Sequence, residues 1–281
     1  MAGTLYICAT PIGNLEDITL RVLRVLSEAD FIAAEDTRHT LKLLNHFEIK
    51  APLVSYHEHN KAARGPVLLA RLQNGESCAL VSDAGLPGIS DPGADLIRLC
   101  LDNNIPVTVC PGASAATMAV VLSGIDCARY VFEGFLPHGK HVKKERAARM
   151  AAIAVEPRTV VLYESPYRLL DTLSELLAAV GDRQAAVARE LTKKFEEVKR
   201  GTLSSLLAHF TENEPKGEFV LVIEGASDIL PAAPAWANMP IPEHVALYIA
   251  AGQTEMDAIK AVAKERGLPK REVYAAAKLK G

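Results

Sequence analysis

What the chain lacks excludes several classes of protein. No apolar run approaches the ~20 residues that a bilayer-spanning helix needs. The opening Met1-Ala2-Gly3-Thr4-Leu5-Tyr6 has neither a basic leader nor an apolar block. A soluble, unexported, cytoplasmic protein is expected, with no membrane partner. There is no excess of one charge either: a net charge of -3 gives no whole-chain basic field, so any contact with nucleic acid must be local. The five cysteines, Cys8, Cys78, Cys100, Cys110 and Cys127, include no Cys-x-x-Cys pair and sit mostly in apolar stretches. They read as small core residues in a reducing compartment, and a structural zinc has little support.

Motifs are missing as well. Without Gly-x-Gly-x-x-Gly there is no Rossmann cofactor fingerprint, and without Gly-x-Ser-x-Gly there is no hydrolase elbow. Gly134-Phe135-Leu136-Pro137-His138-Gly139-Lys140-His141 nearly matches a P-loop but has His141 where the magnesium-binding hydroxyl belongs. His57-Glu58-His59 offers two imidazoles and a carboxylate without the helical zinc spacing, so polar substrate contacts are expected there and no metal.

The 281 residues, 49% of them hydrophobic, suffice for about two domains with buried cores. Short apolar runs at Thr4 to Ala9, Phe31 to Ala34, Pro52 to Ser55, Cys78 to Ser82 and Pro106 to Cys110 predict strands. Amphipathic segments lie between them. In Ile18 to Ala29 the apolar Ile18, Val22, Val25 and Ala29 recur at helical steps opposite Arg21, Arg24 and Glu28. The alternation predicts a mostly parallel sheet covered on both faces.

A second α/β block follows, with strands expected at Tyr130 to Glu133, Thr159 to Tyr163, Gln184 to Arg189 and Phe219 to Glu224. Helices are expected near Lys143 to Ala154 and Leu169 to Val180. The expected division is 1–120 and 121–226 for the two α/β domains, a proline-rich linker at 227–242 and a helical tail at 243–281. In the tail, Thr254-x-x-Asp257 is a capping box, Gly267 suits a left-handed helix end, and Pro269 opens a second helix with Val273 and Ala277 inward.

In an open parallel sheet, ligands bind beyond the carboxyl ends of the strands. Five successive loops there are unusual: Pro11 to Asp17, Glu35 to Arg38, Tyr56 to Asn60, Asp83 to Gly93 and Pro111 to Ala115. Any one is an ordinary turn by composition. Together they form a polar rim of small residues that lets a ligand approach the backbone.

These loops, extended to Thr10–Thr19, Ala34–Arg38, Ser55–Asn60, Val81–Gly93 and Pro111–Ala115, together with Tyr163-Glu164-Ser165-Pro166, resemble the motif set of the ribosomal RNA small-subunit methyltransferase I family over nearly the whole chain. That family lies in the tetrapyrrole methylase superfamily. The resemblance implies two α/β domains enclosing S-adenosylmethionine in a cleft between them, plus the small helical segment. It also implies methylation of the ribose 2'-OH of cytidine 1402 in the decoding region of 16S rRNA, within the 30S subunit, by a homodimer. Carried over motif by motif, it gives Pro11, Asp83, Ala84, Gly85, Leu86, Ile89, Ser114 and Ala115 as cofactor contacts, with Tyr163, Glu164, Arg189 and Glu218 from the second domain.

Methyl transfer to a hydroxyl also needs a proton acceptor. His57, Glu35 and Asp36 lie on loops after adjacent strands and are the candidates, although a Glu35–Arg38 ion pair or a structural His57 fits the sequence equally well. RNA contacts are expected from Arg38 and from two basic stretches. One holds Lys140, Lys143, Lys144, Arg146 and Arg149 against Glu145, and the other runs through Lys270 and Arg271 in the tail. Tyr6, Tyr56 or Tyr274, if exposed, would stack a base. Two positions depart from the family pattern: His138-Gly139 replaces a basic pair, and Tyr167 replaces a usual histidine. The rival readings are a small-molecule tetrapyrrole methylase, which has no need of the basic tail, and a DNA-binding regulator using Gly267-Leu268-Pro269 as a helix-turn-helix.

Overall fold

The computed structural model describes residues 2–139, 141–226, 236 and 239–278. The chain divides into two compact units, Met1–Ser227 and Asp228–Gly281. Within the first unit, two five-stranded sheets share the work of building a site.

The first sheet is wholly parallel. Its strands are β1 (Leu5–Cys8), β2 (Phe31–Ala34), β3 (Leu53–Ser55), β4 (Cys78–Val81) and β5 (Val107–Cys110), in the order β3-β2-β4-β1-β5. All four residues of β2 and of β4 are buried, because helices cover both faces. On one face α1 (Leu20–Glu28) and α2 (Thr37–His46) bring Val22, Leu26 and Leu44 against Ile32, Ala34 and Val81. On the other, α3 (Lys61–Gln73) and α4 (Ala94–Asp102) bring Leu68, Leu72, Leu96 and Cys100 against Leu5, Phe31 and Leu80. Tyr56 belongs to this core at 1% exposure, which corrects the expectation that its ring is free to stack a base.

The second sheet is mixed, in the order β6-β7-β10-β8-β9: β6 (Tyr130–Phe135), β7 (Thr159–Glu164), β8 (Gln184–Arg189), β9 (Glu197–Thr202) and β10 (Phe219–Ile223). Only β6 and β7 run parallel, and the remaining pairs are antiparallel. The polar edge strand β9 has no fully buried residue and no apolar run, so the sequence pattern does not disclose it. One face of the sheet packs on α6 (Lys143–Val155), α7 (Leu169–Val180) and α8 (Leu203–Glu212). The other packs on α5 (Ala115–Ser123), whose Ala116, Ala119 and Val120 meet Val161, Ala186 and Val220. Thus α5, which follows the last strand of the first sheet, is core to the second.

In the other unit, α9 (Ile241–Ala250), α10 (Glu255–Arg266) and α11 (Lys270–Lys278) bury Val245, Ile259, Val262 and Val273 together. Thr254 caps α10 by accepting the Asp257 amide at 3.3 Å, and Gly267 ends it with φ 65. Pro240 and Pro242 open α9 rather than extending a linker, since a proline in the first turn sacrifices no helical hydrogen bond. The rest of the expected linker, 227–235, 237 and 238, lies outside the described residues. None of the described helices is long and apolar enough to cross a membrane.

Candidate functional site

The loops after β1, β4 and β5 meet the ends of β7, β8 and β10 around a cavity of about 360 Å³, within the range of small-molecule sites. Its first-sheet wall is Ile12, Ala84, Gly85, Leu86, Ile89, Ser90, Asp91, Ser114 and Ala115. The second-sheet wall includes Phe135, Tyr163, Glu164, Leu191, Phe219 and Val220. Beside it lies a second cavity of about 480 Å³ between the β1 loop, the β4 loop and α2, lined by Thr10, Pro11, His39, Lys42, Asp83 and others. Ile12, Ala84, Lys193 and Glu218 line both cavities.

Local backbone chemistry shapes the first wall. Thr10 and Gly85 exchange amide hydrogen bonds, Thr10 N to Gly85 O at 2.8 Å and Gly85 N to Thr10 O at 3.1 Å, which ties the β1 loop to the β4 loop. Gly85 holds φ 78, a left-handed conformation that favours glycine. On the facing lobe, Glu190 and Thr192 are non-glycine residues at φ 49 and φ 66. The loop they form carries Lys193, whose ammonium pairs with Glu190 at 3.1 Å and Glu218 at 3.5 Å. The lobes are latched by the Asn14 amide donating to Thr192 Oγ1 at 3.1 Å.

Of the expected cofactor residues, Ala84, Gly85, Leu86, Ile89, Ser114, Ala115, Tyr163, Glu164 and Glu218 line the first cavity, and Pro11 and Asp83 line the second. Arg189 lines neither; its guanidinium meets Glu197 on β9 at 2.9 Å. The Glu164 carboxylate is turned to internal partners, accepting from the Ser165 amide at 2.8 Å, Arg168 Nε at 2.7 Å and Thr172 Oγ1 at 2.7 Å. The Tyr163 phenol is pushed up in pKa by burial, partly countered by the hydrogen bond it accepts from the Ala116 amide.

The proton-acceptor candidates line neither cavity, but Glu35 and Asp36 both contact Asp83. Asp36 is the N-cap of α2, accepting from the Arg38 amide at 2.8 Å and pairing with the Arg38 guanidinium at 2.7 Å. Those contacts hold its carboxyl well below the usual range. Its own amide donates to Asp83 Oδ1 at 3.2 Å. Glu35 differs: burial and the Asp83 charge push its carboxyl upward, while its Oε2 stands 3.5 Å from the Asp83 amide. His57 Nδ1 is buried without a partner among the described residues, and its Nε2 lies 3.2 Å from Asn60 Nδ2. The His57 and His59 rings sit edge to face, 6.0 Å apart. Among the described residues no group of three His, Cys, Asp or Glu side chains could hold a metal ion.

The basic stretch is thinner than its sequence implies. Arg146 is bound to Glu175, the Pro137 carbonyl and Thr172, and Arg149 to Glu133, so Lys143 and Lys144 remain exposed at the start of α6. Lys140 lies outside the described residues. Lys270 and Arg271 are exposed at the start of α11, and Tyr274 is 42% exposed. Sequence reasoning missed Asp91 and Lys193. Asp91 stood in a loop already singled out, but nothing in its letters separates it from the other turn-forming aspartates; Lys193 is placed by a strained loop that has no signature.

A cleft between a parallel and a mixed α/β sheet, floored by glycine-rich strand ends, defines a two-lobed methylase architecture. The model of the tetrapyrrole (corrin/porphyrin) methylases matches residues 4–207. The ribosomal RNA small subunit methyltransferase I of Halalkalibacterium halodurans is 48% identical over 97% of this chain and 93% of its own length. Its Bacillus subtilis counterpart is 46% identical over 99% and 95%. In fold, the uroporphyrin-III C-methyltransferase of Thermus thermophilus complexed with S-adenosyl homocysteine is similar at TM-score 0.55 and 18% identity, covering 82% of this chain and 100% of that one. A diphthine synthase is similar at 0.61 and 16%, covering 79% and 90%. The chain belongs to the tetrapyrrole methylase family and, within it, to the ribosomal RNA small subunit methyltransferase I group.

Proposed function

We propose that this chain is an S-adenosylmethionine-dependent methyltransferase acting on 16S rRNA of the small ribosomal subunit, at the ribose 2'-OH of a decoding-region cytidine. The observation that carries the reading is the pair of adjoining cavities, one mostly apolar and one where His39, Lys42 and Lys193 stand with Asp83 and Glu218, in a chain 48% identical over 97% of its length to a relative of that name. A cytoplasmic location and a homodimeric state go with the reading by family alone.

The first cavity fits the donor. Ile12, Leu86, Phe135 and Phe219 offer apolar surface for an adenine ring, and the small residues Ala84, Gly85 and Ala115 leave main-chain groups within reach. Ser114 opens α5 without a side-chain cap hydrogen bond, which suits the donor carboxylate at a helix N-terminus. When bound, S-adenosylmethionine supplies an electrophilic methyl on a sulfonium.

The chain's own task is then alignment and proton removal. The shared residues Ile12, Ala84, Lys193 and Glu218 form the boundary across which the acceptor oxygen and the methyl carbon must be held in line, at about 3 Å. As oxygen gains the carbon, its proton must pass to a base. Glu35, whose Oε2 stands 3.5 Å from the amide of Asp83 in the wall of the second cavity and whose carboxyl is raised, suits this better than Asp36, which is paired with Arg38 and held low. Lys42 and His39 at the rim of the second cavity suit an RNA phosphate.

Incubating the purified protein with labelled S-adenosylmethionine and, in parallel, with 30S subunits lacking the modification or with a tetrapyrrole acceptor tests the reading. Label at a cytidine ribose is expected. Label on a tetrapyrrole with none on the subunit would overturn it in favour of the small-molecule alternative.

A further inference from the structure

Asp91 stands apart among the charges of the first cavity. The other ionic groups in its lining are already matched: Lys193 with Glu190 and Glu218, and Glu164 with Arg168. Among the described residues no basic side chain pairs with Asp91. The long loop after β4 folds back tightly to place it, passing through Ser90 at φ 62 and Gly93 at φ 141. A Cβ at Gly93 would lie 3.0 Å from Leu80 Cδ2 and 3.2 Å from the Gly88 amide nitrogen, so the loop has little room to put this carboxylate elsewhere.

We propose that Asp91 is the counter-ion by which the first cavity distinguishes a sulfonium donor from its spent thioether, and so favours substrate over product. The proposal rests on the reading of that cavity as the S-adenosylmethionine site. The groups facing Asp91 are the carboxylates of Glu35, Asp83 and Glu218, the Ser82 hydroxyl and the Tyr163 phenol. A half-buried carboxylate among three others is costly to ionise. Burial and the Glu35 charge together push the Asp91 carboxyl up to about 6. A cationic sulfur in the cavity offsets that repulsion, and a neutral thioether does not. Donor and product share the adenosine and the amino-acid head, so the charge on sulfur is what Asp91 has to act on.

Calorimetric titration of the full chain and of Asp91→Asn with S-adenosylmethionine and with S-adenosylhomocysteine, at about pH 7.5 and about pH 5.5, reads this directly. At the higher pH the substitution is expected to weaken the sulfonium ligand about tenfold or more and the thioether less than about twofold. In the unsubstituted protein the preference for the sulfonium is expected to fall toward the lower pH as Asp91 takes up a proton; in the variant it is expected to stay flat. Equal losses for both ligands, no loss for either, or an unchanged pH dependence in the variant would overturn the proposal. Should the variant fail to fold, a preference in the unsubstituted protein that is flat across the two pH values is enough to overturn it. Absence of heat with either ligand in the unsubstituted protein is a different failure, because it removes the donor site itself.

Discussion

Thr172 donates its hydroxyl proton to Glu164 at 2.7 Å and accepts from Arg146 at 2.9 Å, so one threonine joins the buried carboxylate behind the first cavity to the start of α6. Glu164 is thereby a support for the cavity wall, with both oxygens bonded and its side chain 1% exposed. Removing it leaves the Ser165 amide, the Thr172 hydroxyl and the partly exposed Arg168 guanidinium without their acceptor, at a combined cost of about 3 kcal/mol. Glu164→Ala is therefore expected to lower unfolding stability in urea by about that amount. A variant of unchanged midpoint that merely bound the donor more weakly would contradict the supporting role.

The Gly85 turn makes a local prediction. Its φ of 78 suits glycine, and an added Cβ would meet Ile12 Cγ2 at an ordinary 3.6 Å, so Gly85→Ala strains the backbone without a clash. That strain costs roughly 1 kcal/mol. Because Gly85 is tied to Thr10 by two amide hydrogen bonds, relief by rotation would pull the β1 and β4 loops apart. Weaker donor binding by about fivefold to tenfold is expected in calorimetry, with the rest of the fold intact by circular dichroism. Unaltered affinity would show that the tie does not shape the site.

Much of this arrangement was legible in the letters, and the reasons are physical. The central strands β2 and β4 are buried along their whole length and β1 nearly so, so they appear as apolar runs and their loops as interruptions, while the edge strands β3 and β5 are partly exposed but still apolar in their letters. The cofactor positions came from the motif resemblance carried by those loops, and of the eleven other than Arg189 nine line the first cavity and two line its neighbour. Strand β9 escaped because an exposed polar edge carries no hydrophobic period. The partner of α5 escaped for a different reason: small residues such as Ala116 and Ala119 mark a helix that packs closely but not the sheet it packs on. The basic stretch that runs into α6 was overcounted because charge in a sequence does not disclose pairing, and Arg146 and Arg149 turn inward to Glu175 and Glu133.

That pairing separates two kinds of basic residue at α6. Lys143 and Lys144 are exposed and belong to no ion pair among the described residues, whereas Arg146 holds the Pro137 carbonyl and Thr172. The double substitution Lys143→Glu with Lys144→Glu is expected to raise KM for 30S subunits severalfold, to flatten its salt dependence, and to leave donor affinity unchanged. Arg146→Ala is expected to act on stability instead, visible as a lowered Tm. If the lysine pair left KM and its salt dependence untouched, that end of α6 would be no part of the RNA footprint.

The helical unit carries a titratable group whose sign can be worked out. His244 is 2% exposed; Arg266 Nε donates to its Nδ1 at 3.1 Å, and its Nε2 lies 3.2 Å from Glu265. A ring accepting at Nδ1 is neutral, with its proton on Nε2 directed at Glu265. Burial and the Arg266 charge lower its pKa, against the opposing pull of Glu265. The unfolded chain therefore binds the proton more readily than the folded one. The contribution of His244 to stability is present in full above the ordinary histidine value of about 6.5 and declines as pH falls through it. Arg266 also holds the Trp236 and Met239 carbonyls, so loss of its bond to His244 loosens the start of α9. Amide exchange in α9 and α10 is expected to speed up between about pH 7.5 and about pH 5.5, after correction for intrinsic rates, by more than in the first unit. In His244→Gln, which keeps an acceptor but cannot titrate, that difference is expected to disappear; its persistence would assign the pH response to another group.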